Sequence, residues 1–290
     1  SSLGREIDVV VVTGRPTLSR PIHALLARPE VRVILVDPHA PWVDVSGNAS
    51  VVVADLEPAR EPISAAQAEW ASRIRDAARD AGERIETLLA AGSGRTMLDL
   101  ARAVAASTSG PLVLGASNPV RAFDLAVPTL EGRVVHSNRG QAGIDGTIAT
   151  AVGICLGSGY AGEASAPSGE RVSAVMGDLT ACHDASSLAL AASVGAHLDI
   201  VVADDRGGGI FATLEHGRAT TPEAYDRWFG VAQEVDYEAL AAAYHLAFAR
   251  ADEPQELESL LAQPISGPRL IHAPVERGAH LYAAIRDILN

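Results

Sequence analysis

The sequence predicts an α/β protein whose parallel sheets are covered by helices. Three observations lead there. Short, continuous apolar runs rich in valine and isoleucine recur along the chain, at residues 9–12, 51–53 and 200–202. Stretches of helical composition separate them. Turn residues, such as Gly14 with Pro16 and Asp37 with Pro38, close them. Continuous apolar runs suit strands buried on both faces, and their alternation with helices suits parallel βαβ units.

The elements follow in order. Residues 7–12 read as a strand ending at Thr13-Gly14, then a helix at 19–27, a strand at 31–36 and a third near 50–54. Residues 64–90, rich in Ala, Arg, Glu and Leu, read as one long helix, and Gly92-Ser93-Gly94 breaks it. That break divides the chain into two parts, 1–92 and 93–290. In the second part, helices are expected at 96–106, 145–156, 184–194, 236–244 and 279–289. Strands are expected at 111–114, 133–136, 171–178, 198–203 and 269–273. Residues 159–170 read as a surface loop.

Composition excludes several classes. A hydrophobic share of 48% with 20% charged residues is globular, not disordered. A net charge of −13 argues against a nucleic-acid surface. No apolar run is long enough for a membrane span, and the first residues show no signal- or transit-peptide layout, so a cytoplasmic protein is expected. Two cysteines, Cys155 and Cys182, cannot build a disulfide scaffold. All 23 basic residues are arginine, which removes Walker-type nucleotide binding and lysine Schiff-base chemistry for this chain acting alone.

The most informative segments are Gly177-Asp178-Leu179-Thr180 and Asp204-Asp205-Arg206-Gly207-Gly208-Gly209-Ile210-Phe211. Each acidic cluster follows the carboxyl end of an expected strand, the edge where open parallel sheets bind ligands. Asp178 is expected to be exposed there. With Asp205 it can converge on one hard cation, and magnesium shares such oxygen sites with phosphates. The glycines allow close backbone approach and can offer N–H groups to a phosphate.

These segments resemble the diphosphate-magnesium motif of thiamine-diphosphate enzymes. A longer set is more specific: His136-Ser137-Asn138-Arg139-Gly140-Gln141-Ala142-Gly143-Ile144-Asp145-Gly146, then Gly177 to Thr180 with His183-Asp184, then Gly207 to Phe211. Gly14-Arg15-Pro16-Thr17-Leu18-Ser19-Arg20-Pro21 and Gly115-Ala116-Ser117-Asn118-Pro119-Val120-Arg121 follow the same order. Together they are similar to the SEPHCHC synthase family of menaquinone biosynthesis, over nearly the whole chain.

The resemblance implies Rossmann-like three-layer domains of the thiamine-diphosphate-binding fold. Residues 1–92 would be the latter part of a central, transhydrogenase-like domain, and 93–290 the diphosphate-binding domain. It implies thiamine diphosphate with Mg²⁺ or Mn²⁺ as cofactors. Asp178, Asp205 and the Gly207 carbonyl would hold the metal. Arg139, Gly143, Ile144, Asp145, Gly177, Leu179 and Gly208 would join them around the cofactor, with Ile144 as an apolar wedge. Ile210 and Phe211 would line the reacting centre. Ser117, Arg121 and Arg20 would meet substrate carboxylates, which arginine forks suit.

The implied reaction is decarboxylation of 2-oxoglutarate and addition of the four-carbon unit to isochorismate, in a homodimer or tetramer. The chain departs from the family in three ways, one of them Val231-Ala232-Gln233 after Phe229, where the family often has a threonine-proline-histidine or similar triplet. Asp205 stands where the family usually has asparagine. The pyrimidine-binding domain, with its activating glutamate, has no counterpart here, so another segment or chain must supply it and the isolated chain is expected to be inactive.

Three other readings stand beside this one. Ser117 follows an expected strand much as a hydrolase nucleophile does, with His272 as a possible base, but Pro119 replaces the second glycine of that turn. Gly157-Ser158-Gly159-Tyr160-Ala161-Gly162 matches a dinucleotide fingerprint in letters but follows a helix instead of a strand. A non-catalytic, cofactor-binding remnant is the third, marked by binding without turnover.

Overall fold

The computed structural model describes residues 2–39, 42–57, 62–158 and 170–289. The expected loop at 159–170 and most of the Gly157–Gly162 string lie outside them, apart from Gly157, Ser158 and Glu170. The described chain packs as two units, one running to Gly82 and the other from Glu83 to Ile288. Both are α/β with wholly parallel sheets. Among the described residues no helix is long and apolar enough to cross a membrane.

The first unit begins with a short helix, α1 (Ser2–Arg5), followed by β1 (Val9–Thr13), α2 (Arg20–Leu26), β2 (Arg32–Val36) and β3 (Ala49–Val53). Its sheet has the order β1-β2-β3, with Val12 paired to Leu35. Pro21 sits in the first turn of α2, where its missing N–H costs nothing. Val12, Leu26, Val31, Val33 and Leu35 form the core. Asn48 ties the turn after α2 to β3 by donating to the carbonyls of Leu26 and Arg28 at 3.0 and 2.8 Å. The long helix α3 (Ala65–Ala90) starts in this unit and ends in the next. Arg73 on α3 binds Glu6 through two bonds of 2.9 and 2.7 Å.

In the second unit, Ile85, Leu88 and Leu89 of α3 pack against α4 (Met97–Ser107) and its neighbours. The order continues with β4 (Leu112–Leu114), α5 (Asn118–Ala126), β5 (Val135–His136), α6 (Thr147–Ser158), β6 (Val172–Gly177), α7 (Asp178–His183), α8 (Leu188–Ser193) and β7 (Leu198–Asp204). A 3-10 turn at Gly209–Thr213 leads to α9 (Glu215–Ala219), α10 (Pro222–Tyr225) and a π-helical turn at Asp226–Gly230. Then come α11 (Tyr237–Ala243), β8 (Ala247–Arg250), α12 (Pro254–Ala262), β9 (Arg269–Pro274) and α13 (Ala279–Leu289).

The sheet order is β5-β4-β6-β7-β9-β8. Side chains alternate between its two faces as the strand period requires. Leu112, Leu114, Val175, Val201, Ala203 and Ile271 enter the core shared with α4, α5, α12 and α13. Val113, Val172, Ala174, Met176, Ile200 and Val202 enter the core on the other face, with α6, α8 and α11. Both faces are therefore covered, which explains the continuous apolar runs. At the amino end of the strands, fully buried Asp199 accepts from Arg171 at 2.6 Å and Arg269 at 2.9 Å, so its charge is neutralised inside the sheet.

Strand order decides where a ligand can sit. From β4 the chain moves outward to β5, then returns to the opposite side of β4 as β6. The loops leaving β4 and β6 therefore diverge and open a crevice at the carboxyl edge.

Candidate functional site

The crevice holds a cleft of about 140 Å³. Ser117 and Asn118 reach it after β4, Gly177 to Thr180 after β6, and Asp205 and Gly207 to Phe211 after β7. Ile144 and Met97 close it. The structure thus gathers Ser117, Ile144, Gly177, Asp178, Leu179, Asp205, Gly207, Gly208, Ile210 and Phe211 in one place. Arg121 stands one turn behind Ser117 and donates to its carbonyl at 2.6 Å. Arg139, Gly143 and Asp145 lie on the segment that carries Ile144. Arg20 belongs to the first unit, at the start of α2.

Asp178 is not exposed at a strand end: it opens α7 and is only 2% accessible. A carboxylate suits that place because a helix N-terminus favours negative charge. The Gly207 N–H donates to its Oδ2 at 2.7 Å, tying the loop after β7 to the end of β6. Burial pushes its pKa up to about 6; the Leu179 and Gly207 N–H groups oppose that and the Asp204 charge adds to it. Burial also raises Asp205, to about 7; Asp178 raises it further, while Arg277 and a hydrogen bond with Asn118 draw it down. Burial works against the charge of Asp204 too, but its bond to His272 Nε2 (3.0 Å) and the Arg206 N–H hold it below the usual carboxylate range.

The glycine run is tightly built. A side chain at Gly207 would overlap the Gly230 carbonyl, one at Gly208 the Phe229 carbonyl, and one at Gly209 the Asp205 carboxylate. Gly207 also takes a φ of 118°, which side chains disfavour. The three N–H groups are directed at protein acceptors: Asp178, Gly230 at 2.6 Å and Gly207 at 3.0 Å. Here the glycines serve close backbone approach and do not offer N–H groups to a phosphate. Tyr225 donates to the Gly208 carbonyl at 2.9 Å, and Phe229 packs on Phe211 with ring centroids 5.6 Å apart. Arg277 clamps the loop from outside, donating to the carbonyls of Asp205 at 3.0 Å and Arg206 at 2.6 Å.

Sequence reasoning missed this supporting layer of Asn118, Tyr225, Phe229, Gly230 and Arg277. For Asn118 a signal existed, since it directly follows Ser117 after an expected strand. For the others, contacts across long stretches of chain left no local pattern. Asp184 has a structural role: it accepts from N–H groups in the first turn of α6, Ile148 at 2.6 Å and Ala149 at 3.1 Å. Ser117 has φ 84° and ψ −133°, a conformation nearly reserved for glycine. His272 uses Nε2 on Asp204, and its ring lies 4.6 Å from that of Tyr237, so it is committed to partners other than Ser117.

A divalent cation and a diphosphate can be tested against these residues. Asp178 and Asp205 both line the cleft and repel one another, and Asn118, which lines it too, has its Oδ1 buried without a partner. The donor set is all oxygen, as magnesium requires. Among the described residues no three His, Cys, Asp or Glu side chains form a metal cluster, so further ligands must come from carbonyls, water or the cofactor. Ile144, Ile210 and Phe211 supply an apolar wall. The residues fit the group.

A parallel sheet with this crevice, acidic pair and glycine loop defines a cofactor-binding domain of the thiamine-diphosphate class. Residues 122–273 match the model of the thiamine pyrophosphate enzyme, C-terminal TPP binding domain, and the chain belongs to that family. Among named proteins it is similar to 2-succinyl-5-enolpyruvyl-6-hydroxy-3-cyclohexene-1-carboxylate synthases. The one from a Nocardioides species is 40% identical over 286 residues, covering 95% of this chain and 52% of that protein. The Mycobacterium leprae protein is 39% identical (97% and 51% covered), and that of Mycobacterium tuberculosis 40% (97% and 51%). The chain spans about half the length of these relatives.

Proposed function

We propose that the chain is the C-terminal portion of a SEPHCHC synthase and holds the diphosphate end of thiamine diphosphate through Mg²⁺. The observation that carries this is the pairing of Asp178 with Asp205 at the β4/β6 switch point, beside the Gly207 loop. Asp178, Asp205 and the Gly207 carbonyl would be the metal ligands, and Mn²⁺ would serve in place of Mg²⁺. Gly177, Leu179 and Gly208 would border the diphosphate, and Arg139, Gly143 and Asp145 would join them around the cofactor.

When bound, thiamine diphosphate supplies the carbanion chemistry that removes carbon dioxide from a 2-oxo acid and transfers the remainder. The chain's own residues bind and orient. Ile144, which lines the cleft, would lie against the bound cofactor as an apolar wedge. Ile210 and Phe211 exclude water from the reacting centre. Ser117 and Arg121 meet the carboxylates of 2-oxoglutarate and isochorismate. Fixed guanidinium charge suits such polyanions.

A cleft of about 140 Å³ is smaller than the roughly 300–1,000 Å³ of a complete ligand site. This supports a half-site, completed by a pyrimidine-binding segment outside these 290 residues and assembled in a cytoplasmic homodimer or tetramer. The domain identities follow the same reading: 1–92 from the central domain and 93–290 the diphosphate domain. The 290 residues alone bind the cofactor without turning it over.

Titration calorimetry with thiamine diphosphate, with and without Mg²⁺, tests this on the wild type and Asp178→Asn. Asparagine keeps an acceptor for the Gly207 N–H, so the fold survives while Mg²⁺-dependent affinity falls at least about 100-fold, the loss of one charged ligand. Unchanged affinity in the variant would reject the site.

A further inference from the structure

Asp204 and Asp205 stand side by side where β7 ends, yet Asp205 lines the cleft and Asp204 does not. Successive side chains on a strand point to opposite faces. Asp204 therefore shares a face with Val202, which packs on the α11 side of the sheet with Tyr237. His272 is on that face too, since it pairs with Val202 from the neighbouring strand. Its Nε2 meets Asp204 Oδ2 at 3.0 Å, and its ring lies 4.6 Å from that of Tyr237. Both members of the pair are mostly buried.

The row continues across the sheet edge. Arg250 of β8 pairs with His272, and its Nη1 lies 3.4 Å from His272 Nδ1. Asp252 holds the Arg250 guanidinium through bonds of 2.7 and 3.0 Å. A guanidinium can only donate, so Nδ1 accepts and the ring proton sits on Nε2, facing Asp204. The other oxygen, Asp204 Oδ1, accepts the Arg206 N–H at 2.9 Å. Arg206 has a φ of 60°, a left-handed conformation that side chains disfavour. The next N–H, that of Gly207, reaches Asp178 Oδ2 at 2.7 Å. A turn of this kind needs only one oxygen of the aspartate. His272 on the second oxygen fixes the plane of the carboxylate and keeps it on the turn.

We propose that His272 is a positioning residue for the cation site: it holds Asp204 against the Arg206 turn, so that the loop presents Asp205 and the Gly207 carbonyl to the cleft and keeps Asp204 out of it. The inference rests on the cation site proposed above. Outer partners of this kind orient ligands without touching the metal.

The test is the Mn²⁺ affinity of the 290-residue chain, read by electron paramagnetic resonance in the presence of thiamine diphosphate. His272→Leu removes the donor and is expected to weaken Mn²⁺ binding about 10-fold or more. His272→Gln puts an amide N–H where Nε2 was and should recover affinity to within about threefold of the wild type. In an Asp204→Ala background, His272→Leu should cost less than about threefold further, because its target is gone. Equal losses for the Leu and Gln variants, or equal losses with and without Asp204, would reduce His272 to packing against Tyr237 and overturn the proposal. If circular dichroism shows that His272→Leu does not fold, His272→Asn, whose amide stops short of Asp204, runs the same cycle. Asp178→Asn separates the two readings. If it binds Mn²⁺ like the wild type, the cation site is misassigned and the proposal falls with it. If it loses Mn²⁺ while His272→Leu keeps it, the site stands and the role of His272 falls.

Discussion

Ser117 shows how one residue joins strain to position. It sits between β4 and α5 in a backbone conformation that a side chain resists, with its carbonyl held by Arg121 at 2.6 Å. Such strain persists where surrounding structure over-determines it. Replacing it with glycine should release the strain and raise stability by up to about 1 kcal/mol, measured by urea unfolding. Ser117→Ala keeps the β-carbon and should gain nothing. A destabilised glycine variant would show that the hydroxyl, not the backbone, matters there. Serine at 117 was legible as a candidate. Its conformation was not, because only the packing of strand, turn and helix imposes it.

At the scale of elements, the glycine loop after β7 and the turn at 226–230 form one interlocked piece. Gly207→Ala would press a methyl into the Gly230 carbonyl at a φ of 118°. It should cost more than about 2 kcal/mol in thermal or urea unfolding. Gly177→Ala meets nothing within contact range and should stay within about 0.5 kcal/mol of the wild type. If both variants lost the same amount, the interlock would be irrelevant to stability. Most strands and helices were visible from periodicity and turn residues. Strand β8 was not, since four residues at a sheet edge carry little pattern. The signal for α12 was present in Pro254 and the capping pair Glu253 and Glu256, but no expected element covered it. Helix α7 was read as a turn because its six residues hold no full apolar repeat.

At the scale of the molecule, the acidic site couples to overall stability. Asp178 and Asp205 are raised from their ordinary value to about 6 and 7. In the unfolded chain both lose their protons near pH 4. Between that pH and the folded values the unfolded state binds fewer protons, so stability falls as pH rises. Asp178→Asn removes the Asp178 share. Its melting temperature should therefore gain on the wild type between about pH 4 and 6, then keep a constant lead. Added Mg²⁺ with thiamine diphosphate should narrow that lead, because a cation that binds only the folded wild type stabilises it. A difference that does not vary with pH would show that Asp178 titrates normally.

By itself the sequence determined the α/β class, the parallel strands and the candidate ligand residues at strand ends. These depend on local composition and spacing, which a chain carries wherever it folds. Only the tertiary structure decided strand order, and with it the switch point between β4 and β6 that brings Asn118, Asp178 and Asp205 to one cleft. It also decided that Asp178 is buried and that the glycine N–H groups turn inward. Those outcomes depend on contacts between residues far apart in the chain, and on the loss of solvent around charges, which no local pattern encodes.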